Sequence, residues 1–117
     1  MKRDVVVLLT RSPYGRVHVP EGLRAARGVA AGFDRHDVSV VFTQDGIYAA
    51  RAAIDRDALN MTGHLVDLAK EDGDLFVDEA SMAARDVTRD EIASDVGVRS
   101  GEEIASMIER ADHTLDF

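Results

Sequence analysis

The sequence predicts the α/β class: one domain built on a mostly parallel sheet with helices packed on both faces. Two observations carry this. Short apolar runs alternate along the chain with segments whose apolar residues recur at helical spacing, the pattern of successive strand–helix units. The first run, Val5-Val6-Val7-Leu8-Leu9, is continuous rather than alternating, as a strand buried on both faces requires. The length of 117 residues suits a single domain over 1–117, and no internal repeat or low-complexity tract divides it.

After the first strand, Thr10-Arg11-Ser12-Pro13-Tyr14-Gly15-Arg16 has turn formers and no periodicity. Pro20 suits a first helical position, with Glu21 next to it near the positive helix end. Leu23, Ala26, Ala30 and Phe33 form that helix's apolar stripe, and Gly32 stands near its end. Asp37 to Phe42 reads as the second strand, Gln44-Asp45-Gly46 as its exit turn, and Ile47 to Ala53 as a short helix. Asp55-Arg56-Asp57 reads as a solvated linker before a helix over Ala58 to Lys70 that turns Met61, Leu65 and Leu68 inward.

Glu71-Asp72-Gly73-Asp74 makes a turn into a third strand, Leu75-Phe76-Val77. Ser81 to Arg85 is expected to be helical, Thr88 to Glu91 a helical turn or loop, and Ala93 to Val98 a fourth strand of weak pattern. Ser100 and Glu103 have capping-box spacing, in which hydroxyl and carboxylate each satisfy a free backbone donor. The helix they open has a stripe of Ile104, Met107, Ile108 and Ala111, and His113 to Phe117 reads as the closing strand.

Composition narrows the function. The formal net charge of -8 argues against naked nucleic acid as a direct partner, since phosphate binding needs a basic face. The charges are 15 Asp and 7 Glu against 12 Arg and 2 Lys, a balance expected of a proteome adapted to high salt, such as that of a halophilic archaeon; the alternative is an ordinary acidic protein of a GC-rich genome, which also favours Arg over Lys. No apolar run approaches the ~20 residues a bilayer needs, and no signal-peptide pattern opens the chain, so a cytoplasmic protein with no membrane role is expected. The chain has no cysteine, which excludes disulfides, thiolate metal sites and cysteine nucleophiles.

In an open α/β sheet, ligands bind at the carboxyl ends of the strands. Three segments qualify here: Arg11 to Arg16, Thr43 to Gly46 and Asp78 to Ser81. Together they propose a pocket of Arg11, Ser12, Tyr14, Asp45, Gly46, Asp78 and Ser81. The first loop has hydroxyls and a guanidinium for an anion, but neither a P-loop nor a Gly-x-Gly-x-x-Gly fingerprint. Asp78 stands where a receiver domain has its phosphoacceptor, yet Thr10 and Arg11 replace the acidic pair and no lysine lies beyond Lys70. An N-cap on the following helix is the plainer role for Asp78.

His18, His36, His64 and His113 lack metal-ligand spacing, and no Gly-x-Ser-x-Gly elbow is present. Asp55, Asp57, Asp72 and Asp74 lack the glycine and terminal glutamate of an EF-hand loop. No metal and no cofactor is expected.

Several of these segments resemble the DsrE/DsrF-like family, most closely its TusC/DsrF branch of sulfur-relay subunits. They are Ser12-Pro13-Tyr14-Gly15 with Glu21-Gly22-Leu23 after the first strand, Asp45-Gly46-Ile47-Tyr48 after the second, Val77-Asp78-Glu79-Ala80-Ser81-Met82 at the third, and the tail Ala111 to Phe117. The likeness runs the length of the chain in order.

The resemblance implies a three-layer α/β/α fold with a five-stranded, mainly parallel sheet. It implies oligomers, homotrimers or hexamers, or hetero-oligomers with related sulfur-relay subunits, one such relay leading to tRNA 2-thiolation. In the sulfur-accepting branch a cysteine near the end of strand three carries the persulfide. Asp78 falls at that position here, and a carboxylate cannot form a persulfide.

The resulting expectation is a cysteine-less, non-catalytic subunit supporting intracellular sulfur transfer. The alternative is a small-ligand or anion-binding protein, or an enzyme of unknown reaction, using the strand-end pocket.

Overall fold

The computed structural model describes residues 2–32 and 34–117. Five strands form one sheet: β1 (Asp4–Leu9), β2 (Asp37–Phe42), β3 (Asp74–Asp78), β4 (Gly97–Arg99) and β5 (His113–Asp116). Their spatial order is β4-β3-β2-β1-β5, and every pairing is parallel. The connections are α1 (His18–Ala31), a 3₁₀ segment Gln44–Ala50, α2 (Thr62–Lys70), α3 (Glu79–Ala84), a 3₁₀ turn Arg89–Glu91 and α4 (Gly101–Arg110).

From β1 to β4 the chain moves steadily toward one edge, then β5 returns to the far side of β1. Right-handed crossovers put connections of opposite direction on opposite faces. The packing agrees. On one face Val5, Val7, Leu9, Val38, Val40, Phe42 and Val77 pack with residues of α1, α2, α3 and the 3₁₀ segment. On the other face, Val6 and Val41 are covered by Ile104 of α4. This is the expected three-layer α/β/α architecture, with one crowded face and one thin face.

Several element boundaries differ from the sequence reading, each for a local reason. Helix α1 starts at His18 rather than Pro20, and Pro20 sits in its first turn, where a missing N–H loses no helical bond. Phe33, expected in the α1 stripe, lies outside the described residues. The helix expected over Ile47 to Ala53 is instead the 3₁₀ segment. Its continuation is pulled into extended backbone where Arg51 bridges Ile92 and the Ala93 N–H donates to the Ala50 carbonyl.

That same bridge takes Ala93 out of the fourth strand, which begins at Gly97 opposite Phe76. Helix α2 starts at Thr62, not Ala58, because Asn60 adopts a left-handed φ of 57° that an α-helix cannot pass through. The Asp55-Arg56-Asp57 segment is anchored rather than loose: Arg56 makes two hydrogen bonds of 2.8 Å to Asp95. Helix α3 opens at Glu79, two residues earlier than expected.

Candidate functional site at the strand tips

The carboxyl ends of β2 and β3 meet in a network of short polar side chains. Asp78 is the last residue of β3, next to β2 through the pair Phe42↔Val77. Its Oδ1 accepts the Ala80 backbone N–H at 3.1 Å and so caps α3. Its Oδ2 accepts the Ser81 hydroxyl at 2.7 Å and the Thr43 hydroxyl at 3.0 Å. The buried Ser81 hydroxyl in turn accepts the Gln44 N–H at 2.9 Å. Both carboxylate oxygens of Asp78 are therefore engaged, and the exits of β2 and β3 are fastened to each other.

The backbone makes this arrangement compulsory. Gln44 takes a left-handed φ of 50° to turn the chain out of β2. Gly46 then lies against β1: a Cβ there would sit 1.8 Å from the Leu9 carbonyl oxygen. Only glycine permits that approach. Helix α4 begins beside the same point, since a Cβ on Gly101 would be 4.0 Å from Asp78 Oδ1. Arg85 closes the outer side, donating from Nε to Asp45 Oδ1 at 3.0 Å and from a terminal nitrogen to the Ser81 carbonyl at 3.3 Å.

Of the residues singled out in the sequence, Asp45, Gly46, Asp78 and Ser81 thus come together. Ser12 and Tyr14 make their bonds around the β1–α1 loop. The Ser12 hydroxyl accepts the Tyr14 N–H at 3.3 Å, and the Tyr14 hydroxyl accepts from Arg51 at 3.1 Å. Arg51 also lies 5.1 Å from the centroid of the Tyr48 ring. Arg11 is exposed and forms no hydrogen bond or ion pair among the described residues. Arg51 and Arg85 were not singled out beforehand, and Thr43, which opens one of the three strand-end segments, was not among the proposed pocket residues. The only sequence signal for Thr43 was its place directly after an apolar strand, and Arg85 stands four residues after Ser81.

No group of three His, Cys, Asp or Glu that could hold a metal ion occurs among the described residues. The chemistry on offer is that of hydroxyl, carboxylate and guanidinium groups bonded to one another, with donors converging on one carboxylate.

A single parallel five-stranded sheet with helices on both faces puts the chain in the three-layer α/β/α class. Residues 3–117 match the profile of the DsrE/DsrF-like family, and the chain belongs to that family. Two solved structures share its fold. The ychN protein from E. coli superposes with a TM-score of 0.80 at 20% identity, covering 100% of both chains. MTH1491 from Methanobacterium thermoautotrophicum, a protein of unknown function, gives 0.76 at 16%, covering 99% of this chain and 100% of that one. Comparison with curated proteins finds no match.

Proposed function

We propose that this chain is a supporting, non-catalytic subunit of an intracellular sulfur-transfer assembly, of the TusC/DsrF type, working as an oligomer in a salt-adapted cytoplasm. Family membership supports the setting, since the DsrE/DsrF-like family is associated with sulfur relay. The observation that carries the supporting role is Asp78. It lies at the tip of β3, which the family resemblance equates with the position of the sulfur-bearing cysteine in the accepting branch, and both its oxygens accept hydrogen bonds, from Ala80, Ser81 and Thr43. A carboxylate has no thiol to load. The complete absence of cysteine removes any substitute.

The role of the network in this reading is architectural. It holds the β2 and β3 tips in the geometry a thiol-bearing sister subunit uses, so that related subunits pack against a surface of the same shape. The test is affinity capture of the tagged chain from its native cells in high salt. Co-purification of cysteine-bearing family members or tRNA-thiolation enzymes is the expected result. Recovery of the chain alone, as a monomer at every salt and protein concentration, would refute the reading.

A further inference from the structure

The amino end of the sheet, opposite the strand tips, is fastened by an imidazole. Arg35 takes a left-handed φ of 48° in the turn from α1, and half-buried His36 then leads into β2 beside the start of β1. There the Arg3 backbone N–H donates to His36 Nδ1 at 3.0 Å. The Asp37 N–H donates back to the Arg3 carbonyl at 2.9 Å, and the Asp4 N–H donates to Asp112 Oδ2 at 2.9 Å. The first N–H groups of β1 are thus held by side chains, His36 on the β2 side and Asp112 on the β5 side. Among the described residues, His36 alone of the four histidines has its ring in a hydrogen bond.

A backbone N–H can only donate, so the nitrogen facing it must keep a lone pair. His36 is therefore neutral here, with its proton on Nε2. A second proton would have to enter at Nδ1 and would set two donors against each other. We propose that His36 is a proton-operated clasp: neutral, it holds the start of β1 against β2, and charged, it lets residues 2 and 3 go. Histidine is the side chain that changes charge nearest neutrality, whereas the carbonyls that accept the neighbouring backbone bonds do not titrate. The charged groups around the ring are Lys2 and Arg3 from the approach to β1, Asp34, Arg35 and Asp37 from its own turn, and Asp112 beyond Arg3. Lys2 pairs with Asp37 at 3.2 Å and Arg3 with Asp112 at 3.9 Å. Both pairs are exposed and salt-screened, which leaves the bond to Nδ1 as the contact that protonation reverses. The Asp78 network lies at the other end of the strands, so the clasp opens without disturbing it.

Nuclear magnetic resonance across a pH series tests this, reading the His36 ring nitrogens and the exchange protection of the Arg3 amide together. Protection is taken relative to an unstructured chain at the same pH. Arg3 is expected to lose protection at least about fivefold in step with protonation of His36, while Val7, deep in β1, keeps its own. In His36→Asn an amide oxygen stands where Nδ1 was and does not titrate, so Arg3 stays protected throughout. In His36→Ala it is unprotected at every pH. The wild-type series decides alone if either variant fails to fold. Arg3 protection that ignores His36 protonation, a loss equally large in His36→Asn, or a neutral ring carrying its proton on Nδ1 would each overturn the clasp.

Discussion

The Thr43 hydroxyl donates to the Asp78 carboxylate across 3.0 Å, tying the residue that leaves β2 to the residue that ends β3. Because Asp78 also caps α3 and accepts from buried Ser81, one side chain joins two strands and a helix. Asp78→Ala removes the cap, worth about 1 kcal/mol. It also takes the shared acceptor from the buried Ser81 hydroxyl and the half-buried Thr43 hydroxyl, which lie 3.2 Å apart, at about 1 kcal/mol or more in all. Chemical denaturation is expected to show a loss of about 2–4 kcal/mol for Asp78→Ala and a smaller loss, about 1 kcal/mol, for Asp78→Asn, which keeps an acceptor oxygen. Equal effects of the two would mean that the acceptor role contributes nothing.

Gly46 sets how close β2's exit turn comes to β1. Since the obstructing atoms at 1.8 and 2.6 Å are the Leu9 carbonyl oxygen and carbon, a methyl group has no flexible neighbour to displace. Gly46→Ala is expected to cost more than about 3 kcal/mol, enough to cripple a domain of this size. Gly28, inside α1, meets nothing within 4 Å of an added Cβ. Gly28→Ala is therefore expected to raise stability by about 0.5–1 kcal/mol through helix propensity. Thermal melts of the two variants should move in opposite directions.

The regular parts of this fold were legible because their causes are local. The unbroken Val5–Leu9 run marks a strand covered on both faces, and the Ser100–Glu103 pair marks a helix start. The structure has both, including the reciprocal capping bonds of 3.0 and 3.1 Å. Family membership was legible from short segments in a fixed order.

The misplaced boundaries come from non-local forces. Ala93 scores as strand, yet its N–H is claimed by Ala50, more than forty residues away. At the site, the strand-end position of Asp78 could be read directly. Its partners could not, because Thr43 lies 35 positions away and reaches it only through the β2–β3 register.

The Arg56–Asp95 pair gives a pH dependence. Hydrogen bonds from Arg56 hold the Asp95 carboxyl below its ordinary value of 3.8, with partial burial opposing the shift. A carboxyl with a lowered folded-state pKa contributes stability that is complete above its unfolded value and disappears as pH falls through the folded one. Asp95→Asn is therefore expected to cost about 1 kcal/mol near neutrality and nothing once the wild-type carboxyl is protonated. Unfolding curves for the two proteins should converge at acid pH, and a constant offset down to acid pH would contradict the assignment.

The sharpest test of the functional reading restores the missing atom. Asp78→Cys puts a thiol at the tip of β3, where the Ala80 N–H and the Ser81 and Thr43 hydroxyls already converge. Such donors favour a thiolate, the form that attacks sulfane sulfur. Incubation with a low-molecular-weight persulfide should then transfer one sulfur atom to Cys-bearing protein, releasing the donor's thiol, with the gain visible by mass spectrometry. Ser81→Cys, buried one helical turn away, serves as the comparison and should load far more slowly. If the two variants load alike, or if the Asp78 variant folds normally and stays unmodified, the strand tip has no sulfur-accepting geometry. Asp78 would then be a helix cap alone, and its position would say nothing about a relay.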